Sequence, residues 1–204
     1  AKIKRQNRSA EVKILTQSAD ISYAGCGLPY YVGGMIESRE ELIVNTPEKY
    51  TGLTGVEVVT RCEVTSVNFQ AKTVTALCQG QTWLESYDKL VIATGATPFV
   101  PQVEGIRLPG VFTMRTPDDA IALRSYVQDR HCRSAVVVGA GFIGLEIAEN
   151  LQAQGLAVTV IDAADQILPK IFDPEMAGYA RRRLRQNGIR VLTGTPLSEI
   201  TGTE

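Results

Sequence analysis

The chain has 204 residues, 44% of them hydrophobic, which suits one large or two small folded domains and gives no sign of disorder. Twenty-one Lys and Arg against 22 Asp and Glu leave a net charge of −1, so no whole-chain field recruits nucleic acid or a membrane surface. The longest apolar runs, 135–138 and 156–161, fall far short of the roughly 20 residues that span a bilayer, no signal peptide opens the sequence, and a cytoplasmic protein is expected.

Residues 1–7, AKIKRQN, open without methionine and read as the tail of a helix whose start lies upstream. A short apolar strand is expected at 12–16, and the Gly- and Pro-containing stretch 22–34 reads as a loop that becomes a helix near Leu28. Segments 56–59, 63–67 and 73–77 are rich in β-branched residues, and 90–93 is a fully apolar strand candidate ending on Thr94-Gly95, so a mixed sheet with a small β-meander is expected. Pro98, Pro101 and Pro109 with Gly105 and Gly110 punctuate what reads as an interdomain linker. Thr116 then offers a hydroxyl cap ahead of Pro117, Asp118 and Asp119, opening a helix to about residue 128.

A buried strand at 135–138, a helix at 142–154, a strand at 157–161, a helix at 174–187 stopped by Gly188 and a strand at 189–192 complete a βαβαβ alternation. Right-handed crossovers make this a parallel, doubly wound sheet of Rossmann-like type, with ligand at the carboxyl ends of the strands. Gly139-Ala-Gly141-Phe-Ile-Gly144 follows the first of these strands directly and runs into a helix, the context that turns a weak GxGxxG pattern into a dinucleotide fingerprint. Gly139 permits the tight turn, Gly141 lets backbone approach a pyrophosphate, and Gly144 allows close helix-on-strand packing. Asp162 ends the next strand, 18 residues after Gly144, where a carboxylate accepts hydrogen bonds from adenosine ribose hydroxyls and repels a 2'-phosphate. Ala163-Ala164-Asp165 offers no cation in compensation, so NADH is expected over NADPH. Glu146 stands in the first turn of the helix, as a nicotinamide-side contact or only as a carboxylate interacting with the helix dipole.

The four cysteines, at 26, 62, 78 and 132, show no CxxC and no metal-ligand spacing, which speaks against a zinc site and against a secreted disulfide scaffold. Cys26 is flanked by Gly25 and Gly27 just ahead of an expected helix, a setting that favours a reactive thiolate. A buried structural cysteine is the competing reading of that loop. Cys62, Cys78 and Cys132 fall on or beside strands and are expected to be packing or surface residues, and His131, the single histidine, a surface linker residue. No metal site is expected. The Arg-rich run 181–185 reads as a solvated face of the last helix, since no aromatic platform accompanies it.

Three separated stretches, Ile21-Ser-Tyr-Ala-Gly-Cys-Gly-Leu-Pro-Tyr-Tyr-Val-Gly-Gly, Leu90-Val-Ile-Ala-Thr-Gly-Ala-Thr-Pro and Val136-Val-Val-Gly-Ala-Gly-Phe-Ile-Gly-Leu-Glu, resemble in order and spacing the pyridine nucleotide-disulfide oxidoreductases with one active cysteine. Within that family the stretch after Cys26 and Thr46-Pro-Glu-Lys resemble coenzyme A disulfide reductases and their persulfide-reducing relatives, with NADH oxidases and peroxidases as cousins. The resemblance implies a homodimeric flavoprotein with FAD- and NAD(P)-binding Rossmann-like domains, both incomplete here: a partial FAD-binding domain at 1–110 and an NAD(P)H-binding domain at 111–204. NADH would pass hydride to FAD, and the flavin's electrons would reduce a mixed disulfide on Cys26. An oxidase or peroxidase would instead cycle Cys26 through sulfenic acid.

The same resemblance implies flavin contacts at Thr94, Gly95, Val64 and Arg115, an aromatic gate at Phe142 beside Ile143, and coenzyme A contacts at Ser22, Arg5 and Lys2. It also places the first flavin GxGxxG before residue 1, and the third flavin motif and a dimerisation domain after residue 204. Thr16 stands where the family has an acidic ribose contact, and Gly25 where some coenzyme A disulfide reductases have asparagine. The alternative is that the 204 residues, taken alone, are an inactive nucleotide-binding module.

Overall fold

The structure is a computed structural model and describes residues 1–202. In chain order the elements are α1 (Lys2–Gln6), β1 (Lys13–Leu15), β2 (Ser22–Tyr23), a 3-10 turn (Gly25–Gly27), α2 (Leu28–Val32), α3 (Arg39–Leu42), β3 (Ile43–Asn45), α4 (Pro47–Thr54), β4 (Glu57–Val59), β5 (Cys62–Asn68), β6 (Thr73–Cys78), β7 (Gln81–Ser86), α5 (Pro117–Asp129), β8 (Ser134–Val138), α6 (Phe142–Ala153), β9 (Ala157–Ile161), α7 (Pro174–Gln186) and β10 (Arg190–Leu192). They form two compact units, Ala1–Ala24 with Ile43–Ala96, and Gly25–Leu42 with Thr97–Glu204. The units interleave in sequence: the cysteine loop groups with the C-terminal half, and so does 97–110.

In the first unit β1 pairs with β4 in parallel, β2 with β3 antiparallel, and β5, β6 and β7 form the expected antiparallel meander. Alternation sets its two faces. Val74 and Ala76 are buried on one, while Leu77 and Leu84 stand exposed on the other. Lys13 ties β1 to the meander: its ammonium lies 2.9 Å from Glu85 Oε2 and 3.4 Å from Glu57 Oε2, and 4.7 Å from the centre of the Trp83 ring. The hydrogen bond to Glu85 is the main reason its proton is held more firmly than usual. Thr46-Pro-Glu-Lys proves to open α4: Thr46 Oγ1 accepts from the Lys49 N–H at 3.2 Å, Pro47 starts the helix, and Gly55, at φ 67°, ends it.

Two strand expectations need correction. Residues 90–93 form no strand, and Val91 and Ile92 are 75% and 65% exposed. Apolar content sets β-propensity, but a strand exists only with a ladder partner, and no described strand lies beside this segment. The strand at 135–138 forms, one residue longer, yet it is not buried on both faces: Val136 and Val138 are 64% and 53% exposed.

In the second unit β10, β9 and β8 form a parallel sheet in that order, with Val137 opposite Val160 and Val160 opposite Val191. Val158, Val160 and Val191 are buried, as are Ile147, Ala148 and Leu151 on α6, which packs on β8 and β9. Each buried Val, Ile or Leu side chain contributes about 1.5–3 kcal/mol by leaving water. The expected cap of α5 is a full capping box: Thr116 Oγ1 accepts from Asp119 N–H at 3.3 Å, and Asp119 Oδ2 accepts from Thr116 N–H at 2.8 Å. Short α2 is held from both neighbouring helices. Arg124 on α5 donates to the Ile36 and Glu37 carbonyls at 3.0 and 3.2 Å and lies over the Tyr31 ring; Gln154, just past α6, donates to the Gly33 carbonyl. Gly33 packs so closely on the buried Asn150 that a β-carbon there would lie 2.1 Å from Asn150 Oδ1.

Candidate functional site

The turn between β8 and α6 is built by hydrogen bonds from β9 and the loop after it. Gly139, at φ 107°, donates its N–H to Ile161 O at 2.8 Å; Ala140 donates to Asp162 Oδ2 at 2.6 Å, and its carbonyl accepts from Leu168 N–H at 3.0 Å. The three glycines serve different needs. A β-carbon on Gly141 would meet nothing within 4 Å, and the same holds for Gly139, so both face open space. A β-carbon on Gly144 would lie 2.0 Å from Gly139 O and 3.4 Å from Val137 Cγ1, the close helix-on-strand approach expected of the third glycine.

Gly141 caps α6 without a side-chain acceptor, leaving the first N–H groups of a 12-residue helix directed out of its N-terminus. Free donors and the positive end of the helix dipole favour an anion at that end. Phe142 and Ile143 are 53% and 59% exposed, large apolar side chains uncovered beside the turn. Glu146 is half-buried and lies one turn into α6, past the first turn where the sequence placed it, its carbonyl accepting from Asn150 Nδ2 at 2.8 Å. Asp162 is half-buried and already engaged: besides Ala140, its Oδ1 accepts from Ala164 N–H at 2.7 Å. Each carboxylate oxygen keeps lone-pair capacity for a ribose hydroxyl.

Cys26 is exposed and unpaired, in the 3-10 turn ahead of the buried Leu28 and Pro29. The helix that follows is only five residues long, so its backbone field is weaker than the sequence reading assumed. The other cysteines differ. Cys62 and Cys78, expected as separate packing or surface residues, face each other across β5 and β6 and are joined as a disulfide. Cys132, half-buried, directs its thiol to Tyr126 O. Among the described residues no cluster of three or more His, Cys, Asp or Glu gathers.

Of the proposed coenzyme A contacts, Arg5 lines an open basin of 490 Å³ in the first unit together with Lys4, Arg8, Leu53 and Thr54; Lys2 and Ser22 lie outside its lining. Lys4 donates to the Arg8 and Ala10 carbonyls at 3.2 and 2.9 Å and keeps its charge, so Lys4, Arg5 and Arg8 together make the basin cationic. Sequence reasoning missed Arg8 and the α4 residues. The signal was the closeness of Arg5 and Arg8 in sequence, on either side of the end of α1, whereas the α4 contribution has no local signature. Thr94, Gly95 and Val64 are exposed in the same unit, with Gly95 turning at φ 73°. The exposed left-handed turn at Gly95 leaves its backbone open to a ligand, which is compatible with a flavin contact there. Arg115 is exposed and its N–H donates to Asp119 Oδ2 at 2.9 Å.

A parallel sheet with a glycine turn at its carboxyl edge defines a dinucleotide-binding fold. The sequence pattern of the pyridine nucleotide-disulphide oxidoreductases matches residues 1–204, and the chain belongs to that family. It is 38% identical to an NADH oxidase of Methanocaldococcus jannaschii, covering 99% of this chain and 45% of that protein. To a coenzyme A disulfide reductase of Staphylococcus haemolyticus it is 33% identical, over 86% of this chain and 40% of the relative. Among solved structures, an NAD-dependent persulfide reductase from A. fulgidus superposes with TM-score 0.94 at 35% identity, covering 98% of this chain and 38% of that one. A water-forming NADH oxidase from Lactobacillus brevis, bound to NADH, superposes with TM-score 0.90 at 30% identity, covering 98% and 44%. An engineered form of that oxidase, bound to NADPH, carries five substitutions, two of which introduce arginine. The chain therefore spans less than half the length of these relatives.

Proposed function

We propose that the full-length protein is an FAD-dependent oxidoreductase that uses NADH to reduce coenzyme A disulfide, or a related disulfide or persulfide, at Cys26. Residues 1–110 would belong to its flavin-binding domain and 111–204 to its NADH-binding domain, in a cytoplasmic homodimer of the kind the family resemblance implies. The observation that carries the reading is the contrast among the cysteines: Cys26 is exposed and free, whereas Cys62 and Cys78 are paired and Cys132 is half-buried.

NADH would lie with its pyrophosphate at the α6 N-terminus against Gly139 and Gly141, its ribose near Asp162, and its nicotinamide side near Phe142, Ile143 and Glu146. NADH is favoured over NADPH by Asp162 and by the absence of a neighbouring cation. The glycine, aspartate, alanine and proline exchanged in the NADPH-bound relative recur here as Gly144, Asp162, Ala163 and Pro169 at the same spacing, and its two introduced arginines fall at Ala163 and Pro169. FAD, when bound by Thr94, Gly95, Val64 and Arg115, supplies the path that turns a hydride from NADH into an electron pair for sulfur. As thiolate, Cys26 attacks one sulfur of the disulfide. The S–S bond breaks, a mixed disulfide forms on Sγ, and the first thiolate leaves and takes a proton from water. Two electrons then break the mixed disulfide, releasing the second thiol and restoring Cys26. The cations Arg5 and Arg8 suit the phosphates of coenzyme A, with Ser22 and Lys2 as further contacts.

The 38% identity to an NADH oxidase supports a second reading, in which Cys26 cycles through sulfenic acid with oxygen or peroxide as oxidant. In the full-length enzyme, Cys26→Ser should leave flavin reduction by NADH intact in stopped-flow absorbance, while turnover of coenzyme A disulfide falls about a thousandfold or more. Retention of most disulfide turnover would exclude the assignment. Oxygen consumption that exceeds disulfide turnover in the wild type would favour the oxidase.

A further inference from the structure

We infer that Asp162 is a positioning residue for the glycine turn, coupled to Gly144 through a single peptide plane, so that nucleotide affinity depends on the shape Asp162 gives the turn as well as on any contact it makes with the ribose. The inference rests on the NADH reading of this site.

The peptide joining Gly139 to Ala140 is the part of the turn most tightly boxed. Its N–H, on a residue with no exposed surface, donates to Asp162 Oδ2 at 2.6 Å. Its carbonyl oxygen is the atom that a β-carbon on Gly144 would approach to 2.0 Å. The peptide bond is planar, so oxygen and N–H move together: pushing the oxygen away from residue 144 swings the N–H relative to Asp162. In the folded turn Ala140 is 0% exposed, so the Asp162 carboxylate is the acceptor its N–H has. Its second oxygen holds Ala164 N–H at 2.7 Å, and Leu168 N–H holds the Ala140 carbonyl at 3.0 Å, so the carboxylate is anchored to the loop that also grips the far side of the turn. A carboxylate that only read the ribose would have no need of a buried amide. Asp162 and Gly144 act on opposite ends of one rigid group, and substitutions at the two positions cannot be independent.

The test is a double-mutant cycle on the full-length protein, with affinities for NADH and for reduced nicotinamide mononucleotide, which keeps one phosphate but lacks the adenosine, measured by calorimetry. Asp162→Ala and Gly144→Ala should each weaken NADH about tenfold. The double variant should bind about fivefold more tightly than the product of the two effects, because freeing the N–H lets the oxygen move away from the new methyl. Asp162→Ala should also weaken the mononucleotide, to which a ribose contact on the adenosine side is irrelevant. Multiplicative effects on NADH together with an unchanged mononucleotide affinity would overturn the inference. A wild type that binds no NADH would instead remove the underlying reading. Should Asp162→Ala fail to fold, Asp162→Leu keeps the approximate size of the side chain without either acceptor, and exchange of the Ala140 amide with solvent in the nucleotide-free protein should accelerate about tenfold. Unchanged exchange there would equally refute the tether.

Discussion

Gly141→Val separates a binding role from a structural one at a position where the two leave different traces. Gly141 has φ −82° and ψ −179°, extended backbone open to any residue, and its added side chain would meet no protein atom within 4 Å. Valine forgoes the cap preference of glycine, a loss of about 0.5–1 kcal/mol, and recovers about 0.4–1 kcal/mol by reducing the entropy of the unfolded chain. The net change in stability is therefore close to zero, and the melting temperature should shift by no more than a few degrees. In the proposed reading, the open space at Gly141 is where the pyrophosphate approaches the first amides of α6. Branched methyl groups there block charge-assisted hydrogen bonds of about 1.5–3 kcal/mol each, so losing two implies a fall in NADH affinity of about a hundredfold or more. Calorimetric titration of NADH alongside thermal unfolding reads both quantities. Affinity within about threefold of wild type would refute the placement of the pyrophosphate, and a large drop in melting temperature would show that the position is structural after all.

Gly33→Ala should behave oppositely, costing about 1–3 kcal/mol in denaturant unfolding because its methyl collides with Asn150. Asn150→Ala in the same protein should recover part of that cost, and strictly additive effects would contradict the close approach of α2 to α6. Lys13→Met should lower stability at neutral pH by about 0.5–1 kcal/mol through loss of the Glu85 pair and the Trp83 contact. Because the folded-state pKa of Lys13 is raised, its contribution is complete below the ordinary value of 10.5 and is lost as pH rises through the raised value, so the gap between wild type and variant should narrow only at strongly alkaline pH. A gap that persists there would assign the effect to packing of the lysine stem.

The nucleotide half of the fold was legible because its signals are local. The run of strand, glycine turn and helix at 134–153, the Thr116 box and the Gly188 stop each depend on residues a few positions apart. Long-range pairing was not. Leu90, Val91 and Ile92 have the composition of a strand and no partner beside them, and the Cys62–Cys78 pair depends on the register of β5 against β6, which spacing alone does not set. The motif also named Gly139, Gly141, Gly144 and Asp162 without showing that Asp162 spends both oxygens on backbone amides, a fact that only the folded turn contains.

The central claim, that Cys26 carries the chemistry, is tested most directly by treating the full-length protein, its flavin oxidised, with coenzyme A disulfide in the absence of NADH and mapping the adduct by mass spectrometry. The account predicts one coenzyme A on Cys26, Cys62 still joined to Cys78, and Cys132 unmodified. A coenzyme A found on Cys132 with Cys26 unmodified would contradict it.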